Sequence, residues 1–216
     1  MTERRWKEVD TYFVDKIVGM DDALDQCLRE AEAAGLPQAA VSPAQGKMLH
    51  LMAKSIGAKR ILEVGTLGGY SAIWLARALP PDGKLVTLEI DPKHAKVAQT
   101  SVAAAGLAKL VEIRTGAALD LLPDVKGPFD FSFIDADKEN NPAYFEHALR
   151  LSRKGAIIIV DNVVRGGAVT DPNGGSQVQG VRRLFDKLAN ETRVSATAIQ
   201  TVGDKGYDGF LMAVVN

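Results

Sequence analysis

At 216 residues with 46% apolar side chains, the chain can bury one substantial core, and a single domain spanning 1–216 is the default. A formal net charge of −1 with no Lys/Arg block excludes a general nucleic-acid binder, and a lone cysteine, Cys27, excludes an internal disulfide framework. No apolar run reaches the roughly 18 residues of a membrane span, and the start MTERRWKEVD is charged where a leader is apolar, so a cytoplasmic protein without membrane contact is expected.

Residues 1–57 carry no strand-like run. Their patterns are amphipathic and helical, broken at Gly35-Leu36-Pro37 and at Val41-Ser42-Pro43, and they are expected to lie over a sheet or in a subunit contact. Cys27 falls within such a helix and is read as an ordinary packing residue. From 58 to 216 the pattern changes. Short β-branched runs, RILEV (60–64), KLVTLE (84–89), LVEIR (110–114), DFSFI (130–134) and AIIIV (156–160), alternate with Ala-rich helical stretches. Near-continuous apolar strands separated by helices predict a parallel sheet covered on both faces. A helix near 177–190 follows, and then RVSATAIQ and YDGFLMAVV, two runs placed to pair antiparallel. The expected fold is α/β: a doubly wound, seven-stranded, mostly parallel sheet with helices on both faces and an antiparallel C-terminal strand.

Two constellations carry chemistry. In ILEVGTLGGYSAIWLA the first strand runs into a glycine-rich turn and then a helix, where Gly65, Gly68 and Gly69 permit tight backbone and close ligand approach. The second strand ends in Glu89, about where a nucleotide-binding fold places an acid on ribose hydroxyls. Glu63 stands where the dinucleotide fingerprint has its first glycine; a carboxylate there repels a pyrophosphate and attracts a cationic amino-acid ligand, favouring a positively charged nucleoside over NAD. The alternative is an ordinary strand-to-helix turn.

The second constellation lies at the ends of FSFIDADK and IIIVDN. Ligands of open parallel sheets collect outside the carboxyl ends of the strands. Asp135, Asp161 and Asn162 should converge there, and two carboxylates in one place call for a cation or a proton. This hard oxygen set suits Mg²⁺ first, with Mn²⁺ or Ca²⁺ as alternatives, and not structural zinc. The bland alternative is that both acids cap neighbouring loops or helices. His50, His94 and His147 are scattered and suggest no imidazole site. Lys138 is a candidate general base, since a nearby cation disfavours the ammonium form; otherwise it is a solvated lysine paired with Asp137 or Glu139. Asp137 is read as a loop acid, and Tyr70 and Trp74 as helix-packing residues.

Together LEVGTLGGYS, FIDADK and VDNVVRGGAV resemble the cation-dependent branch of class I S-adenosylmethionine-dependent O-methyltransferases, which holds catechol and caffeoyl-CoA O-methyltransferases and many small bacterial enzymes. The resemblance runs from about residue 41 to the C-terminus. It implies a Rossmann-like core at 58–216 and N-terminal helices at 1–57 closing over an aromatic vicinal-diol acceptor, in a homodimer. Carried over residue by residue, Glu63, Gly65, Thr66 and Ser71 would hold the methionine part of S-adenosylmethionine (SAM), Glu89 the ribose and Ala118 the adenine. Val41 would stand at the cofactor's entrance. Asp135, Asp161 and Asn162 would be the metal ligands, Asp135 also beside the cofactor, and Lys138 the catalytic lysine. Leu67 and Gly68 replace the usual aromatic and Thr or Cys, Asn141 replaces the aromatic of K-x-N-Y, and Arg165 stands where Trp is common. The last two border the acceptor mouth. The competing readings are a NAD(P)-dependent oxidoreductase, opposed by Glu63 and the absence of a Tyr-x-x-x-Lys pair, and a non-catalytic binding protein, opposed by the intact site set.

Overall fold

The structure is a computed structural model that describes residues 2–19 and 21–216. Seven strands form one sheet in the order β3-β2-β1-β4-β5-β7-β6. The strands are β1 Arg60–Val64, β2 Lys84–Glu89, β3 Val111–Thr115, β4 Phe129–Ile134, β5 Ser152–Asp161, β6 Val194–Gly203 and β7 Gly206–Val215. β1 to β5 pair in parallel, and β7 pairs antiparallel with β5 and β6. The expected sheet is therefore present. Two strands, β5 and β6, run longer than their apolar runs. β5 starts at Ser152, because Phe129 of β4 pairs with it ahead of a register shift, and β6 continues to Gly203, where it pairs with Gly206 of β7.

Burial on both faces explains the unbroken apolar runs. Side chains alternate across a strand, so Ile61, Phe131, Phe133, Ile157 and Ile159 enter one core, while Leu62, Ile134, Ile158 and Val160 enter the other. The first core lies under helices α3 (Pro43–Ser55), α4 (Tyr70–Ala76) and α5 (Pro92–Ala104); the second lies under α7 (Asn141–Leu151) and α8 (Ser176–Leu188), which follow the short α6 (Ala118–Leu121).

The N-terminal region is helical as expected. Helix α1 (Glu3–Phe13) continues into a π-helical turn at Val14–Val18 that the sequence pattern does not signal, and α2 (Asp22–Ala33) and α3 follow. The Asp21 carboxylate accepts from the N–H groups of Ala23 and Leu24 and caps α2; the Ser42 hydroxyl accepts from Gln45 N–H and caps α3, with Pro43 in the first turn. No helix among the described residues is long and apolar enough to cross a membrane.

The chain reverses its direction of strand addition between β1 and β4, which opens a crevice at their carboxyl ends. There the backbone comes very close. Asp135 N–H donates to Val64 C=O at 2.8 Å, and a Cβ on Gly65 would lie 2.1 Å from the Asp135 carbonyl oxygen. Gly65 also has φ +98°, a conformation L side chains rarely adopt. Gly65→Ala should therefore cost about 3 kcal/mol, combining backbone strain with a clash against backbone. Gly57→Ala, at φ +61° with nothing within 4 Å of its Cβ, should cost only about 1 kcal/mol. Urea denaturation of the two variants checks the difference.

Candidate active site

A cavity of about 640 Å³ occupies this crevice. Its floor is the β1–α4 turn with Gly65, Thr66 and Ser71; Glu89 and Ile90 end β2 beside it, and Ala117 to Leu119 form another side. Asp135 to Lys138, Asn140 and Asn162 line the β4 and β5 end. Val41, residues 37–40 and Cys27, Leu28 and Ala31 of α2 form the wall opposite. The structure thus brings Val41, Gly65, Thr66, Ser71, Glu89, Ala118, Asp135, Lys138 and Asn162 onto one surface. Glu63 and Asp161 are not on it: each is buried just behind.

Glu89 organises the glycine turn. One carboxylate oxygen accepts from the N–H groups of Thr66 (3.2 Å) and Leu67 (2.7 Å), and the other from Asp91 N–H (3.0 Å). His94, which the sequence reading left without a role, lies 3.5 Å from the same carboxylate. Glu63 sits across from Thr87 in the β1–β2 register and accepts its hydroxyl at 2.6 Å, while the Thr87 and Thr66 hydroxyls share a second 2.6 Å bond. The other Glu63 oxygen is buried without a partner. Burial pushes the Glu63 carboxyl up to about 7; the charges of Asp135 and Glu89 add to the rise, and the nearby hydroxyls of Ser71 and Thr87 oppose it. An unpartnered acid beneath a tight turn fits a ligand that brings positive charge.

At the other end, Ile134 pairs with Val160, so Asp135 and Asp161 leave adjacent strands side by side. Lys138, 5% exposed, is not a solvated lysine: its ammonium donates to Asp135 at 2.6 Å. Asp161 accepts from Asn162 N–H (2.9 Å) and from the Gln45 side-chain amide (2.8 Å). Burial first, then repulsion from Asp135, push the Asp161 carboxyl well above the usual range, against those two bonds and the attraction of Lys138. Asn162 has φ +56°, which turns the chain sharply at the strand's end. Among the described residues no group of three His, Cys, Asp or Glu side chains is placed to hold a metal ion. The candidate set takes its third donor from the amide of Asn162.

Several contributors carried no sequence signal. Asp137, read as a loop acid, accepts from the Tyr144 hydroxyl and from the Asn140 amide, and all three residues line the cavity. Asp208 of β7 accepts from the N–H groups of Val164 and Arg165 at 3.0 Å each, pinning the turn after Asn162. Tyr70 lines the cavity, whereas Trp74 is core, edge-on to His50. Cys27 is buried and donates its S–H to Gly68 C=O at 3.2 Å; burial pushes its thiol up to about 11.

A family model described as O-methyltransferase matches residues 16–211. The catechol O-methyltransferase of Mycobacterium tuberculosis is 51% identical over 209 residues, 96% of this chain and 95% of that protein. That of Niastella koreensis is 50% identical over 220 residues and covers both chains fully, at 100% each. Among solved structures, an O-methyltransferase from Bacillus cereus in complex with SAH aligns with TM-score 0.98 at 54% identity over 100% of both chains. TomG from Streptomyces achromogenes, an O-methyltransferase involved in tomaymycin synthesis and solved with SAM, aligns with TM-score 0.97 at 53% identity over 100% and 99% of the two chains.

The buried Glu63 makes a stability prediction for the ligand-free protein. Its carboxyl is raised to about 7 from an ordinary 4.5, so through that window the folded chain holds a proton the unfolded chain has released. Stability should fall as pH rises across it, by up to about 3 kcal/mol. Glu63→Gln should remove this share of the loss, leaving that of Asp161, and be the more stable form at pH 8, as urea midpoints at pH 5 and pH 8 will show.

Proposed function

Because this chain belongs to the O-methyltransferase family and is SAM-dependent, as its relatives and their SAM- and SAH-bound structures establish, we propose that it methylates a hydroxyl of a catechol-like, vicinal dihydroxy aromatic acceptor with the help of a divalent cation. The observation that carries this reading is the lip of β4 and β5, where buried Asp161 stands beside Asp135 and the Lys138 ammonium rests on the latter. Two relatives named catechol O-methyltransferase support the acceptor class.

In this reading Gly65, Thr66 and Ser71 take the methionine end of SAM, and Glu63 supplies negative charge behind them. Glu89 takes the ribose hydroxyls, Ala118 stands by the adenine, Val41 guards the entrance, and Asp135 faces both the cofactor and the metal. Asp135, Asp161 and Asn162 would hold the cation; their hard oxygens fit Mg²⁺, with Mn²⁺ and Ca²⁺ compatible, and buried Asp161, bonded only by neutral donors beside a second carboxylate, suits such an occupant. A cation held there would supply Lewis acidity, favouring the ionised form of an acceptor hydroxyl placed beside it. Lys138 would first release its ammonium proton to solvent, a loss that a neighbouring cation favours, and Nζ would then accept the hydroxyl proton. The remaining work is alignment of the oxygen with the sulfonium methyl and exclusion of water, which falls to α2 and residues 37–41 on the cavity's outer wall.

Residues 1–57 belong, in this reading, to one domain with 58–216 and close the acceptor side. A cytoplasmic homodimer is also proposed. Exposed Val9, Tyr12, Phe13 and Ile17, with Ile199, Val202 and Tyr207 on the β6–β7 ribbon, support a covered surface. Sedimentation velocity showing a monomer at micromolar concentration would remove the dimer.

The deciding experiment is a screen of vicinal-diol aromatics with SAM, with and without EDTA, reading conversion and regiochemistry. Asp161→Ala should abolish turnover while SAH still binds, and full activity in EDTA would sink the cation. Lys138→Ala should lower kcat by a factor of about 10² to 10⁴ at neutral pH, with partial recovery at high pH where the acceptor ionises unaided. An unchanged pH profile would remove Lys138 as base.

A further inference from the structure

We propose that Gln45 is a positioning residue of the cation site: from the first turn of α3, its amide fixes the orientation of Asp161 for metal binding. The inference rests on the cation reading above. The Gln45 side-chain nitrogen donates to Asp161 at 2.8 Å, across a separation of 116 residues. Its own placement is firm. Gln45 N–H is bound by the capping hydroxyl of Ser42 (3.2 Å), and Pro43 begins the helix. The next residue, Gly46, lets α3 sit directly on α4, since a Cβ there would meet the Trp74 ring at 2.3 Å. The amide therefore reaches the lip of β5 from a helix held at its start and along its side.

The chemistry of the donor matters as much as its position. Asp161 accepts one N–H at each oxygen, from Gln45 and from the Asn162 backbone, and both donors are neutral. They fix the carboxylate plane, leave each oxygen a free lone pair and bring no positive charge of their own. A Lys or Arg in place of Gln45 would orient Asp161 equally well but would compete with the cation. Outer hydrogen-bond partners of metal ligands are worth about 10- to 100-fold in metal affinity.

The test is titration of the purified protein with Mn²⁺, read by the loss of the free-ion EPR signal. Gln45→Met removes the donor at nearly constant volume, and Gln45→Ala removes both donor and packing. Each should bind Mn²⁺ about 10- to 100-fold more weakly than wild type, while SAH affinity measured without metal changes less than about threefold. Turnover of both should recover as Mg²⁺ is raised, because the defect lies in occupancy. Gln45→Met binding Mn²⁺ within twofold of wild type would overturn the proposal, as would weak turnover that saturating Mg²⁺ does not restore. Wild-type protein whose Mn²⁺ binding is absent, or survives Asp161→Ala, would instead bring down the cation reading itself.

Discussion

Parallel pairing of β4 with β5 delivers two acids, Asp135 and Asp161, to one edge of the sheet, and much of the surrounding structure answers the repulsion this creates. Lys138 leans back three residues to neutralise Asp135. Asp161 receives neutral donors alone, and burial keeps it costly to ionise. Helix α8 fixes the loop between them from behind: a Cβ on Gly180 would lie 2.1 Å from the Lys138 carbonyl oxygen, and Arg183 donates to Glu139 C=O at 3.1 Å. The fold thus spends two helices, α3 and α8, on holding a charge arrangement that the strands alone would splay.

The cofactor side uses the opposite strategy. Glu89 is surrounded by backbone N–H donors from the turn it faces, so the glycine loop is rigid before any ligand arrives. Glu63 is left with an unpartnered oxygen in the core. One acid is satisfied and shapes the turn, and the other is kept short of a partner. The two ends meet through Gly65, whose missing side chain allows Val64 and Asp135 to share a backbone hydrogen bond.

The central strands were readable because each is buried on both faces, which leaves an unbroken β-branched run between helical stretches. The limits of β5 and β6 were not, since Ser152 and Gly203 pair through backbone groups that any residue supplies. The π-turn at Val14–Val18 was invisible for a related reason: widening a helical turn leaves no compositional trace. In the site, charged residues adjacent in sequence to strand ends could be picked out, and the cavity gathers most of them. Gln45 and Asp208 could not. Each acts across the fold on a partner far away in sequence, and nothing in a neutral amide or a ribbon aspartate announces such a partner. Tyr144 was hidden inside an ordinary amphipathic helix until its hydroxyl was seen on Asp137.

Asp208 has a wider consequence. By gripping the N–H groups of Val164 and Arg165 from the antiparallel strand, it fastens the chain to the sheet within three residues of Asn162. Beyond that anchor, the segment from Gly166 through Thr170 runs largely over the surface with two glycines at positive φ. This stretch has its own ties, since Val169 packs against the core and Arg182 of α8 donates to its C=O at 2.7 Å. The anchor therefore divides this region in two: a lip whose geometry is held from the sheet, and a surface turn whose shape is held from a helix.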